Sequence, residues 1–290
     1  LEDTLKNIFK NIIKIINMKP KIALLISGRA TCWENCLLPI LENSIDYDID
    51  LFMSINNKNE NCEYFTLMKN KLSSYLKNIY IKEFTVPDDF INTSSHEQSV
   101  KQLVNNKYIP LNILSMWFNY KNAYEMACNY EKQNNFEYDF FMTFRSDLII
   151  DKIPLFNANE NILYSIIQPC HFISFGIYKV PIVSPEWVFA KKDIMKIYLE
   201  TYNFIIEQSK IDNTYICHYE SNVTDNCIKK NLNIKRINGI NYSVDANRRR
   251  FDDWENVKDT RVYNVSNRKF DYIDINKVNE TLLLKTKIKS

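Results

Sequence analysis

The sequence predicts an α/β fold with a mostly parallel central sheet flanked by helices, on three observations. Short, nearly continuous apolar runs recur, as in KIALLIS (21–27), DIDLFMSI (48–55) and YDFFMTF (138–144). Strands buried on both faces read this way, whereas half-solvated strands alternate. Helix-patterned segments separate the runs, and a crossover between parallel strands needs a connection of that kind. The 290 residues are 46% hydrophobic and 25% charged, an ordinary globular balance for one large core.

In chain order, residues 1–17 place Leu1, Leu5, Ile8, Phe9, Ile12 and Ile16 on one helical stripe and Lys6, Lys10 and Lys14 on another. They predict an amphipathic N-terminal helix extension. It packs on its own or a neighbouring domain, or lies on a membrane surface; its lysines exclude a signal-peptide core. Residues 18–290 read as a single domain, with no repeat and no clear linker. Strand 21–27 stops at Gly28, a helix follows over 32–44, and strand 48–55 ends in the polar loop NNKNEN. A helix over 63–77 precedes a third strand, IYIKEF (79–84), and 85–109 reads as a loop or insertion. Pro110 suits a first helical turn, and Leu114, Trp117, Phe118, Tyr124 and Ala127 keep helical spacing to about residue 133. Strand 138–145 comes next, then ILYSII (162–167), helices within 186–209 and 219–231, and a short strand, IKRI (234–237). Beyond about 245 the chain is polar and irregular.

A net charge of +2 argues against a nucleic-acid partner, which usually calls for a strong basic excess. No apolar run reaches the length that spans a bilayer. The seven cysteines include no C-x-x-C pair, and no histidine-rich ligand set accompanies Cys32 and Cys36, so a zinc site is not expected. Reduced thiols suit a cytoplasmic compartment, the host cytoplasm if the source is a virus.

The three glycines, Gly28, Gly176 and Gly239, exclude a G-x-G-x-x-G fingerprint and a P-loop. A nucleotide, if bound, is held in another way. Open α/β sheets bind ligands outside the carboxyl ends of their strands. Three polar clusters fall at such ends: Ser27-Gly28-Arg29, Asn56-Asn57 and Arg145-Ser146-Asp147. Gly28 allows a sharp turn or a close approach. Arg29 and Thr31 follow at a helix start, where free N–H groups favour anions; an ordinary strand-to-helix turn would look the same. Arg145 and Asp147 stand two apart at the end of an otherwise apolar strand, which sets their side chains together. Either they form a plain ion pair or they belong to a site, and the weak stability return of buried pairs favours the site.

Several segments, in order, resemble a GT-A-fold glycosyltransferase-like family of large viruses and bacteria. KIALLISGRATCWENC is similar to its opening strand and SG-x-x-R turn, although Arg29 comes earlier than the family's arginine. DYDIDLFMSI is similar to its second strand. SMWFNYKNAYEMACNYEKQNNFEYDFFMTFRSDLIID resembles its S-M-aromatic-x-x-Y-K helix and YD-apolar-R-x-D strand. SPEWVFAKKDIMKIY resembles a D-W-x-F-A segment, with Glu186 where the family has Asp. HYESNVTDNCIKKNL resembles an H-P-E helix start, with Tyr219 in place of the proline.

The resemblance implies a GT-A-like, Rossmann-like fold and transfer of a sugar from a nucleoside diphosphate donor to a hydroxyl on a glycan or glycoprotein acceptor. It sets Ser27, Gly28, Arg29, Thr31, Asn56, Lys121, Arg145 and Asp147 around the donor. Ordinary GT-A enzymes carry a metal-binding D-x-D where this chain reads Arg145-Ser146-Asp147. Arg145 can therefore offset diphosphate charge itself, while Asp147 holds a donor hydroxyl or a single Mn²⁺ or Mg²⁺. Glu186, His218 and Glu220 are the acid–base candidates, since the acceptor hydroxyl must lose a proton. Arg248, Arg249 and Arg250 would cover the leaving diphosphate, or form a solvated surface run. A catalytically silent sugar- or nucleotide-binding module in a larger assembly is the alternative. A glycosidase would need two carboxylates facing one bond.

Overall fold

A computed structural model of the chain describes residues 19–28, 33–55, 63–82, 84–91, 110–150, 152–155, 161–168, 182–211, 219–236 and 242–244. The N-terminal segment 1–17 and everything past Val244 lie outside the described residues.

The first apolar run is β1 (Lys21–Gly28), followed by one π-helical turn (Trp33–Leu37) that leads into α1 (Leu38–Asn43). Next come β2 (Asp48–Ile55), α2 (Glu63–Lys71), β3 (Leu76–Ile81) and a short α3 (Asp88–Ile91). The long α4 (Pro110–Asn134) returns the chain to β4 (Phe140–Arg145) and, after a tight turn, β5 (Leu148–Ile150). Then follow β6 (Leu163–Gln168), β7 (Ile182–Ala190), α5 (Lys192–Leu199), α6 (Thr201–Ser209), α7 (Tyr219–Lys229), β8 (Ile234–Arg236) and β9 (Tyr242–Val244).

The main sheet has seven strands in the order β3-β2-β1-β4-β7-β6-β8, and β5 pairs with β9 in a separate two-stranded sheet. Strands β1, β2, β3 and β4 run parallel, and β7 is antiparallel to both β4 and β6. This is the mostly parallel α/β sheet flanked by helices that the sequence predicts. The continuous apolar runs arise because each face of the sheet has its own core. Ala23, Leu25, Phe52 and Phe141 pack with Trp117, Tyr120, Ala123 and Ala127 of α4. Their neighbours Ile22, Leu24, Ile26, Met53, Met142 and Phe144 pack on the other side with Trp33, Leu37, Ile40 and Met68. Alternate residues thus enter opposite cores, so both positions favour apolar side chains.

One expectation needs correction, and one strand goes unread in the sequence although the helices expected within 186–209 are there. The third strand begins at Leu76, and the preceding helix ends at Lys71. The Leu72 carbonyl takes both the Tyr75 and Leu76 amides, and the Tyr75 carbonyl takes the Leu51 amide, so docking on β2 wins over helical spacing. The stretch 186–190 belongs to strand β7, and helix begins only at Lys192. Pro185 obscures this strand, because proline usually marks an edge or a bulge. It falls where the pairing with β6 jumps from Ile167↔Val183 to Ser165↔Val188. That irregular stretch does not call on its missing N–H.

Candidate functional site

Three parallel strands end side by side. Ser27 of β1 is in register with Ser54 of β2 on one side and with Arg145 of β4 on the other. Ligands of open α/β folds bind outside such carboxyl ends. By strand alternation Ser27, Ser54 and Arg145 share the α4 face with Leu25, Phe52 and Phe141.

The first half of α4 is tied to these ends. Ser27 Oγ donates to the Met116 carbonyl at 2.8 Å. Ser54 Oγ donates to Asn119 Oδ1 at 2.7 Å, and Asn119 Nδ2 donates to the Ser115 carbonyl at 2.8 Å. Ser54 and Asn119 are fully buried, where polar groups persist only with hydrogen-bond partners. Ser54, Ser115 and Asn119 escape a reading of the sequence. Each is an ordinary polar residue, and the Ser54–Asn119 bond joins positions 65 apart. The only sequence signal is that Ser54 interrupts a strand core.

Arg145 closes β4, and Ser146 and Asp147 turn the chain into β5. Arg145 Nε donates to Asp147 Oδ1 at 2.8 Å, and Nη2 donates to Oδ2 at 2.9 Å. The carboxylate is thus gripped side-on by a planar fork. Asp147 is 3% exposed, whereas the Arg145 side chain keeps 20% of its surface. Out of water, the two charges depend on each other. Leu148 and Ile150, both buried, anchor the turn in the core opposite α4, and β9 pairs along them.

Gly28 has φ of +92°, and a Cβ there would meet nothing within 4 Å among the described residues. Backbone torsion, not crowding, therefore calls for glycine, and there is open space at the turn. Lys121 extends toward α6, its ammonium 5.6 Å from the Tyr202 ring centroid. Glu186 is one residue past the Phe144↔Trp187 pair, so the backbone of β7 brings it to the strand end that carries Arg145. Glu220 is in the first turn of α7. The side chains of Glu186 and Glu220 lie outside the described residues, as do Arg29, Thr31, Asn56, His218, Arg248, Arg249 and Arg250. The structure therefore brings together Ser27, Gly28, Arg145, Asp147 and the backbone of Glu186. Among the described residues no helix is long and apolar enough to cross a membrane.

No family model matches the chain, and no curated protein matches it. Solved structures of glycosyltransferases are similar to it. The mannosyltransferase Ktr4p of S. cerevisiae, in complex with GDP, is 11% identical with a TM-score of 0.49, over 77% of this chain and 71% of that one. The apo form of the glycosyltransferase GlyE of Streptococcus pneumoniae TIGR4 is 11% identical with a TM-score of 0.38, over 76% of this chain and 45% of that one. The chain thus spans less than half the length of that pneumococcal protein. A glycosyltransferase involved in glycosylation of the major capsid of PBCV-1 is 12% identical with a TM-score of 0.32, over 75% and 82% of the two chains. Likeness of fold does not carry activity, which depends on the site.

Proposed function

We propose that the chain transfers a sugar from a nucleoside diphosphate donor to an acceptor hydroxyl on a glycan or protein. The observation that supports this best is the Arg145–Asp147 fork, partly buried at the carboxyl end of a central strand, with Arg145 in register with Ser27. A buried ion pair adds little stability over apolar packing, so its position at a ligand crevice favours a binding role.

In this reading Arg145 faces the donor diphosphate, and Asp147 holds the guanidinium in place. The turn at Gly28 lets the donor approach, with Arg29, Thr31 and Asn56 as further polar contacts, while Lys121 reaches toward Tyr202 instead. In the reaction the anomeric carbon loses its bond to the diphosphate oxygen, which leaves with the electron pair. The same carbon bonds to the acceptor oxygen. A base removes the acceptor proton; Glu186, His218 and Glu220 are the candidates, and Glu186 is favoured because its backbone borders Arg145. Charge develops on the leaving diphosphate, where Arg145, helped by Arg248, Arg249 and Arg250, stabilises it.

The test is a screen of sugar nucleotides for binding, then for transfer and donor hydrolysis, with melting temperatures of Asp147→Asn and Arg145→Lys. Both variants should fold. Turnover should fall by about 10²-fold, because a contact aimed at developing charge is misplaced or lost. Wild-type turnover in Asp147→Asn would sink the reading. Donor binding with neither transfer nor hydrolysis would identify a silent sugar- or nucleotide-binding module.

A further inference from the structure

We infer that, if the chain is a sugar transferase as proposed above, its donor diphosphate is met by the fixed guanidinium of Arg145 instead of a divalent ion. Asp147 is then a positioning residue for that guanidinium and not a metal ligand. A metal at this strand end is what a GT-A-like fold suggests, so the residues present must be tested against it.

They do not fit. A divalent ion would need the carboxylate oxygens of Asp147, and both already accept from Arg145, at 2.8 and 2.9 Å. The carboxylate is almost entirely buried, so an ion must displace the fork or share its lone pairs beside a fixed positive charge, which repels it. The first carboxylate of a D-x-D would stand at position 145, and here that position is the arginine itself. Hard cations such as Mg²⁺ also want several oxygens at once.

The guanidinium suits the substitute role. Side-on pairing engages Nε and one hydrogen of Nη2. The end-on edge, Nη1 with the outer hydrogen of Nη2, points away from the carboxylate. Its two parallel N–H directions match two oxygens of a phosphate. The fork also restrains a long, flexible side chain before any ligand arrives, so less freedom is lost on binding. Position 145, in register with Ser27 next to the turn at Gly28, places the arginine at the carboxyl end of the sheet, where ligands of such folds bind.

The experiment is calorimetric titration of UDP, GDP and dTDP into the whole chain, in EDTA, in Mn²⁺ and in Mg²⁺. At least one diphosphate should bind in EDTA, and either ion should change its affinity by less than about threefold. Binding only in the presence of an ion overturns the inference and leaves sugar transfer standing. Binding under no condition overturns both. Free Mn²⁺ followed by electron paramagnetic resonance should fall equally on adding wild-type protein or Asp147→Asn. Mn²⁺ uptake lost in the variant would make Asp147 a metal ligand after all. In EDTA, Asp147→Asn and Arg145→Lys should each weaken the bound diphosphate by about tenfold in protein that remains folded. Unchanged affinity in a folded Asp147→Asn would refute the positioning role.

Discussion

Ser54 and Asn119 show how single residues fix the strand ends where the candidate site lies. Asn119 Oδ1 accepts from Ser54 at 2.7 Å, wholly out of water, so the bond joins α4 to the end of β2. Ser54→Ala removes the donor and should cost about 1–3 kcal/mol by urea denaturation, since the penalty is that of a weakened buried acceptor. Adding Asn119→Leu should recover part of that loss, because two apolar groups leave less unpaired. Strict additivity of the two losses would show that they do not interact. Legibility differed sharply among residues at this scale. Arg145 and Asp147 were readable because they stand two apart and break an apolar strand, so strand geometry alone joins them. The Ser54–Asn119 bond was not, because only the fold brings β2 against α4. Ser27 was readable as a strand-end polar residue, but not as a donor to the Met116 carbonyl, which depends on how the helix lies.

Among the elements, α4 is the one whose placement most affects the site, and it is held at both ends. Its amino-terminal half meets the strand ends through Ser115, Met116 and Asn119. Near its other end Glu131, 2% exposed, accepts from the Tyr138 backbone N–H at 2.7 Å and forms a close ion pair with Lys192 at the start of α5. Glu131→Ala should cost about 3 kcal/mol in denaturant unfolding, because it leaves a buried N–H and breaks the pair. Glu131→Gln should cost less than half as much, since the amide oxygen still takes the N–H. Lys192→Ala should cost about 1 kcal/mol or less, its side chain being 37% exposed and screened by water. Equal losses in all three variants would mean that the charge, not the backbone acceptor, holds the junction. The limits of α4 were legible, because Pro110 starts it and its apolar spacing is unbroken. β7 was less so, because Pro185 and a jump in pairing disguise a strand that is buried on both sides. Strand order was not legible at all, since it depends on which faces find each other.

At the scale of the whole molecule, packing that fills both faces of the sheet also buries phenols, and this sets how the protein responds to alkali. Burial, followed by the hydrogen bond to Asp50 at 2.7 Å, holds the Tyr138 hydroxyl protonated far above its ordinary range. Burial, followed by the neighbouring Cys128, does the same for Tyr124, and burial for Tyr198. All three side chains are buried in the α4 core. In the unfolded chain they titrate near pH 10. Above that pH the folded state holds phenol protons that the unfolded one has lost, so the stability these three groups contribute is fully present below about pH 10 and falls as pH rises further. Each such group contributes a slope of about 1.4 kcal/mol per pH unit. Urea unfolding followed by circular dichroism between about pH 9 and pH 11 should show the decline, with phenolate absorbance from the buried group rising together with loss of structure. Tyr138→Phe should lower stability at neutral pH by about 2 kcal/mol, the worth of a hydrogen bond to a charged acceptor. The same variant should reduce the alkaline slope by about 1.4 kcal/mol per pH unit, because one proton fewer is released on unfolding. An unchanged slope would mean that Tyr138 ionises as readily in the folded protein as in the unfolded chain, and that the Asp50 contact does not hold it.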